Sequence, residues 1–393
     1  MSEFDIGIVE NRARGDFSKI PFPDRKDQYW RFSKRDAWNV DSLFPFFTSA
    51  TKTSSDSFLD SLESHVKGGL WSLFYDSQRV SADVPSGISI LGMPEASRLF
   101  PDKAAEFFSL SSGKFGVLCS SRASTGFYVK VESDASFQAA FIGKLPLGVL
   151  NVVFDIAPGA TFKLARDFLT FGGAFQAMRF GFFLGRGSVL ELAGLSASAE
   201  NSRRWVRDDF FVADSAKVVD AFAEVGRDHT RIERNFHMRG SGAEVDSRVF
   251  VRGGASVVHD IRTLQHHTLP DASSNIAVKS ALDGSSRLAF SGLIRVENAA
   301  QNTSSYQSAR SLLLSDKAEA KASPILEILA NDVACSHGCT VSKPDEEQLL
   351  YMMSRGLPPK EALKLLVRGF AWSVFERLSD NSEVKNMSEL CFS

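Results

Sequence analysis

The sequence predicts a mainly β protein: a parallel β-helix, or a related solenoid, between helical regions at the two ends. Four observations carry this. Between Asp155 and Val341 a turn of the form Gly-(Ala/Ser)-x-apolar recurs, in full at Gly159-Ala160-Thr161-Phe162, Gly187-Ser188-Val189-Leu190, Gly242-Ala243-Glu244-Val245 and Gly254-Ala255-Ser256-Val257 and in degraded form elsewhere. The first members, at Gly159, Gly187, Ser215 and Gly242, stand about 27 or 28 residues apart, a coil-like interval. Between turns, apolar side chains fall on alternate positions, as at Val245, Val249 and Val251. One strand–corner–strand unit cannot bury its inner face, whereas stacked units bury each other's. Finally, 33 Phe stand against 5 Tyr and 5 Trp. Phenyl rings need no hydrogen-bond partner when buried, so long apolar stacks inside the fold are expected. An irregular β-sandwich with Gly turns is the competing architecture.

Taken in order, residues up to about Lys67 read as helical and irregular. Phe22 to Trp38 mixes charge with Tyr29, Trp30, Phe32 and Trp38, which suits an arm docking by its aromatics. Thr48 to Ser57 is a Ser/Thr-rich loop, and Phe58, Leu59, Leu62 and Val66 follow helical spacing behind a cap at Asp56 or Ser57. From Leu70 short apolar runs alternate with polar residues. Pro94 to Phe108 is expected as one helix, and Phe115 to Val131 and Ala139 to Ile156 as extended. Later members of the repeat, at Gly254, Gly284, Lys317 and Gly338, come at varying intervals. After Val341 the period becomes helical. Ser342 with Asp345 resembles a capping box, Arg355-Gly356 suits a helix end, and Pro359 suits the first turn of the next helix. There Leu363, Val367, Phe370, Val374 and Leu378 form an apolar stripe. Burying each large side chain is worth roughly 1.5–3 kcal/mol, so the stripe must lie against the solenoid or a partner. The remainder to Ser393 reads as a mobile tail. The expected division is a helical region at 1–69, a β-rich region at 70–341 and a helical region at 342–393.

Composition excludes several functions. A formal net charge of -2 gives no electrostatic reason to expect nucleic acid or an anionic membrane as partner. Cys119, Cys335, Cys339 and Cys391 are too sparse for a disulfide framework. No secretory signal and no uninterrupted apolar span are evident, so a reduced, cytoplasmic protein is expected. Gly172-Gly173 and Gly253-Gly254 lack the context of a nucleotide loop, and no GxSxG or HExxH occurs.

The chemistry-bearing stretch is Gln301 to Leu350, where Cys335, His337 and Cys339 lie two apart. On a strand all three face one way, about 6.5–7 Å between neighbours. They could ligate zinc, copper or an iron–sulfur species, although no second ligand pair stands at zinc-finger spacing, and buried thiols also serve as small hydrophobes. His229, His237, His259, His266 and His267 show no metal-selecting spacing and read as structural. Asp208 and Asp209 are adjacent, so on a strand their carboxylates face opposite ways.

The same stretch resembles the SufB/SufD family of iron–sulfur cluster assembly proteins. The resemblance rests on Leu312-Leu313-Leu314-Ser315, Pro324-Ile325-Leu326-Glu327-Ile328, Asp332-Val333, Cys335-Ser336-His337-Gly338, Asp345-Glu346-Glu347 and Ser354-Arg355-Gly356, with Arg25-Lys26-Asp27 and Trp30-Arg31-Phe32 upstream. Ala309, where SufB-like members carry cysteine, and Ser336, where they carry Glu, place the likeness on the SufD side. Cys339 departs from the usual Ala.

The resemblance implies a right-handed parallel β-helix core and a non-catalytic scaffold subunit in a SufB–SufC–SufD complex. It implies a heterodimer with a SufB-like chain through the β-helix, a homodimer being an option in isolation. A SufC-like ATPase would dock on the C-terminal helices, where Leu363, Val367, Phe370 and Val374 are the candidate residues. No tightly bound cofactor is implied, only a transient cluster at the SufB-side interface. His337 and Cys335 would contribute there, with Cys339 as an additional ligand. Two other readings are a β-helix polysaccharide-active enzyme and a freestanding metal-binding homodimer.

Overall fold

The computed structural model describes residues 4–22, 30, 38, 43, 73–75, 80–81, 83–110 and 113–378. Strands hold 51% of the residues and wind into a parallel β-solenoid of about eight turns. The first strands are β1 (Leu73–Tyr75), β2 (Val80–Ser81), β3 (Ile88–Gly92) and β4 (Gly126–Val131). One wall of the solenoid is then built by β5 (Ala135–Gly143), β7 (Thr161–Thr170), β9 (Val189–Ser198), β11 (Lys217–Glu224), β13 (Glu244–Gly253), β15 (Ser273–Leu282), β17 (Thr303–Leu313) and β19 (Val333–Ser342). The facing wall is β6 (Leu147–Ile156), β8 (Phe175–Leu184), β10 (Arg203–Val212), β12 (His229–Met238), β14 (Val258–His267), β16 (Arg287–Val296) and β18 (Glu319–Ile328). From β6 on, each strand pairs in parallel with the strands two before and, up to β17, two after it, so β18 and β19 end the stack with a neighbour on one side only; at the other end β5 pairs with β1, and β1–β2 and β3–β4 are antiparallel.

The lumen explains the Phe count. Phe154, Phe182, Phe210 and Phe236 occupy one column on successive coils and stack at centroid distances of 5.1, 4.6 and 4.6 Å. Each ring covers the next, which is what in-register parallel stacking of like side chains allows. Polar layers interrupt this core. Arg166 bridges the lumen to Asp208 through two hydrogen bonds of 2.8 and 2.7 Å, and Arg234 pairs with Asp220 at 2.9 Å and Asp208 at 3.4 Å. Arg204 makes a two-pronged bond to Glu224 at 3.0 and 2.9 Å. All these groups are buried, and such charges persist in low dielectric only when paired.

The recurring turn is a real corner, with a simple cause. Gly159, Gly187, Ser215, Gly242, Asp271 and Asn302 all have φ between +53° and +75°. In that conformation each backbone N–H reaches a carbonyl of the next corner, as Gly187 does to Asp214 at 2.8 Å and Asn302 to Asp332 at 2.7 Å. Glycine takes positive φ without strain, and Asn and Asp tolerate it, so the series continues at Asp271 and Asn302 without glycine. Gly254 and Gly284 belong to the opposite corner, which is why the later intervals vary. Gly338 is no corner at all: it lies within β19.

Helices cover both outer walls. α1 (Ile6–Lys19) is capped by Asp5, whose side chain accepts from Gly7 N–H at 2.7 Å. The single helix expected over Pro94 to Phe108 is two, α2 (Met93–Leu99) and α3 (Pro101–Ser109), because Pro101 starts a new first turn. Phe115 onward, expected as extended, begins in α4 (Gly113–Ser120). Lys114 through Ser120 are all buried in this helix, so no exposed face marks its period. Phe107, Phe115 and Leu118 pack on the outer face of the even-numbered wall with Phe183, Trp205 and Phe211, joined by Trp30 and Trp38. The docking arm is thus supported for its two described tryptophans, while Tyr29 and Phe32, the Thr48–Ser57 loop, the helix over Phe58 to Val66, Cys391 and the expected tail lie outside the described residues.

At the C-terminal end, α5 (Glu346–Ser354) is capped by Asp345 itself, which accepts from Glu347 and Gln348 N–H at 2.9 and 3.2 Å. Ser342 is instead the last residue of β19, so the expected Ser342 cap is replaced. Gly356 ends that stretch at φ +94°, and Pro359 opens α6 (Pro359–Trp372). Among the described residues no helix is long and apolar enough to cross a membrane.

Candidate functional site: the open end of the solenoid

Cys335, His337 and Cys339 sit on β19 at register positions matching Ser305, Gln307 and Ala309 of β17. Those three residues are buried, with the columns beneath them running through Ser274, Ile276 and Val278 of β15. In an in-register parallel stack, side chains at one register position face the same way. The triplet therefore faces the lumen, as the last inward row of the wall. His337 and Cys339 are exposed because no coil lies beyond them, and Cys335 is half-buried against Ile294, Val296 and Ile328.

Across the lumen the inward row of β18, Ala320, Ala322, Pro324, Leu326 and Ile328, is apolar. Leu326, the outward-facing Ile325, Leu329 just past β18 and Val341 on β19 are all exposed. Pro324 stands in the middle of β18, where only an edge strand or a bulge tolerates a missing N–H. The end of the stack thus combines two ten-residue free edges, an uncovered apolar layer and a row of three soft-metal donors.

Burial pushes both Cys335 and Cys339 thiols up, against weaker opposing bonds from the Ser305 and Ala309 backbones. The thiol forms are therefore the resting ones, and a ligand role needs a cation that displaces the proton. Among the described residues no group of three or more His, Cys, Asp and Glu side chains could hold a metal ion. The donors point the same way but are spread along one strand.

The second expected feature, the stripe on α6, is turned inward. Val367 and Val374 are buried, and Leu363 and Phe370 partly so, against Ala193, Leu195, Ala221, Ala223, Phe250 and Ala281 of the odd-numbered wall. Lys279 holds this docking by donating to the Phe370 carbonyl at 3.3 Å. The stripe fixes the helices to the solenoid, and the exposed apolar residues of this region are Leu350, Tyr351, Met353, Leu357, Leu365 and Trp372. The adjacent acids Asp208 and Asp209, expected to face opposite ways, do so and are both occupied. Asp208 faces the lumen beside Arg166, while Asp209 takes three hydrogen bonds of 2.9–3.1 Å from Arg207 beneath the helices. Neither is accessible to a polysaccharide.

Sequence reasoning missed Gln307, whose amide crosses the lumen to donate to the Gly292 carbonyl at 3.1 Å. Its signal is structural: a Cβ on Gly292 would lie 2.1 Å from Gln307 Oε1, so only glycine leaves room.

Comparison with known proteins agrees with this architecture. Residues 148–370, more than half of the chain, match the profile described as SUF system FeS cluster assembly, SufBD core domain. The chain is similar to the iron-sulfur cluster assembly protein SufD of Escherichia coli, with 28% identity over 228 residues covering 58% of this chain and 54% of that protein. It is also similar to SufD of Bacillus subtilis, with 32% identity over 146 residues, 37% of this chain and 33% of the relative. A SufBD family protein of Synechocystis matches at 36% over 123 residues, 31% and 26% of the two chains. The matched stretches thus span about half or less of these relatives. With the core profile running along a β-solenoid that ends in the Cys335–His337 row, the chain belongs to the SufBD family of iron–sulfur cluster assembly proteins, as a SufD-like member.

Proposed function

We propose that this chain is a non-catalytic scaffold subunit that meets a SufB-like chain at the open end of its solenoid and a SufC-like ATPase on its C-terminal helices. The observation that carries the reading is the uncovered last coil. A long edge strand with unpaired backbone groups is a template for another chain's strand, and here it bears lumen-facing His337 and Cys335. A nascent iron–sulfur cluster is cargo at that junction. His337 would offer a neutral imidazole, a more labile ligand than thiolate, and the partner would supply cysteine. Such an asymmetric pair suits a cluster that must later leave. Cys339 stands at the same row and is a further donor.

The ATPase would contact Leu350, Tyr351, Leu365 and Trp372, since Leu363, Val367, Phe370 and Val374 hold the helices in place from beneath. The reading carries no resident cofactor and no nucleic-acid or membrane partner, and it implies a cytoplasmic location. Co-expression with a SufB-like and a SufC-like chain tests it. The expected result is a three-component complex that gains iron and sulfide in the presence of ATP. A chain that purifies alone from such a mixture would overturn the assignment.

A further inference from the structure

Of the three buried residues beneath the β19 row, Ala309 offers no side-chain hydrogen bond, and Ser305 is bonded through its hydroxyl to Ser274 at 2.9 Å and to Gln265 at 3.0 Å. Gln307 differs. Its Nε2 donates to the Gly292 carbonyl at 3.1 Å, while its Oε1 is buried and has no hydrogen-bond partner. A carbonyl only accepts, so Gly292 fixes which end of the carboxamide is the nitrogen and leaves the oxygen free. A buried acceptor left unmade is costly, and such an atom calls for a donor. Two donors are near. On the coil below, Thr263 Oγ1 is also buried and unpartnered; a Cβ on Gly292 would lie 2.8 Å from it and 2.1 Å from Gln307 Oε1, so both atoms border one gap. That hydroxyl belongs to a β-branched side chain locked in a packed interior, and in its rotamer the bond is not made. On the coil above, His337 holds the same register position as Gln307, and neighbouring strands lie about 4.7–4.9 Å apart. Amide side chains at such positions bond along the stack axis, rung to rung. The His337 side chain is exposed at the open end and, among the described residues, makes no hydrogen bond, so it tilts toward the rung beneath without giving one up.

We propose that Gln307 is a positioning residue for His337: its Oε1 accepts the imidazole Nδ1–H, which fixes the ring plane and leaves the Nε2 lone pair facing the open end. Nδ1 is the ring nitrogen nearer the strand, and so the one within reach of the rung beneath. A neutral imidazole carries one N–H, and the hydrogen bond made by one nitrogen decides that the other is the free donor of electrons. Ligating histidines in general give their second nitrogen to an oxygen of this kind. The use of the device rests on the reading of His337 as a cluster ligand, whereas the hydrogen bond itself does not. It also sets His337 apart within its row, since the Ser305 hydroxyl beneath Cys335 is already engaged and Ala309 beneath Cys339 has none.

The tautomer is read in the full chain, without iron or partner, by nitrogen NMR of histidine-labelled protein at about pH 8, where an ordinary imidazole is neutral. The His337 signals are identified by their loss in His337→Ala. The expected result is a predominant Nδ1–H form in the wild type. Gln307→Met, close in length but without an acceptor, should lower the ratio of Nδ1–H to Nε2–H about tenfold, and Gln307→Glu, which keeps a carbonyl oxygen, should hold it. A wild-type His337 in the Nε2–H form needs no variant to overturn the proposal, and a ratio unmoved by Gln307→Met would hand Gln307 Oε1 to Thr263 instead. In a complex with SufB-like and SufC-like chains, Gln307→Met should lower cluster content severalfold and Gln307→Glu should retain it. Full cluster content in Gln307→Met, with the tautomer switched, would overturn the positioning role. Failure of the ligand reading shows separately, as full cluster content in His337→Ala.

Discussion

His337 stands directly above Gln307 in the stack, at the same register position on neighbouring parallel strands, yet Gln307 is 1% exposed and His337 faces solvent. The step of one coil separates a residue that belongs to the core from one at the open end of the stack. Gln307 is held by its bond to Gly292, and the lumen beneath the imidazole stays polar because of it.

Gly292→Ala tests that support. The new Cβ would meet Gln307 Oε1 at 2.1 Å and Thr263 Oγ1 at 2.8 Å. Overpacking of this kind costs about 1–3 kcal/mol, so the urea midpoint should fall, and Gln307→Ala in the same background should recover part of the loss.

The Arg166–Asp208 pair gives a second prediction. Both side chains are 1% exposed, so Arg166→Met removes both close hydrogen bonds from the buried Asp208 carboxylate, leaves it only Arg234 at 3.4 Å, and should cost about 3 kcal/mol. Arg166→Met with Asp208→Leu should cost less than either single change. A double-mutant cycle in urea reads the coupling directly.

Stability should fall between pH 6.5 and about 4. Burial pushes both His259 and His267 down to about 4. In that window the unfolded imidazoles bind protons and the folded ones do not, so acid favours unfolding; above 6.5 the contribution is complete. Asp209, held below the usual carboxylate range chiefly by Arg207 against the cost of burial, loses its contribution as pH falls toward its lowered value. Urea midpoints at pH 7, 5.5 and 4.5 check the slope, and His259→Gln should flatten it.

The C-terminal helices separate fold from docking. Val367→Ala, under the helix, should lower stability by roughly 1–3 kcal/mol. Leu365→Ser and Trp372→Ser, on its exposed side, should leave stability within about 0.5 kcal/mol while weakening capture of a SufC-like ATPase. The reverse pattern would place docking on the stripe.

The solenoid was legible because its causes are local. Alternating apolar positions and small-residue corners are written into each coil, and the Phe surplus foretold the stack of Phe154, Phe182, Phe210 and Phe236. Two corner series merged in the reading because Asp271 and Asn302 replace glycine on one of them while Gly254 and Gly284 mark the other. The α4 helix was hidden because burial on every side leaves no period to read. At the site, the spacing of Cys335, His337 and Cys339 gave their common direction. Which direction, and that no described residue covers them, depends on β17 beneath and on where the described stack stops. The α6 stripe likewise announced that it must be buried, but only the wall built from Ala193 to Ala281 decided against what.

The central claim is that His337 contributes half of an assembly site completed by a partner. Iron and acid-labile sulfide should be measured in the complex of this chain with a SufB-like chain and a SufC-like ATPase, comparing wild type with His337→Ala. The prediction is a severalfold drop in cluster content with the complex intact by gel filtration. Full cluster content in an intact His337→Ala complex would contradict it.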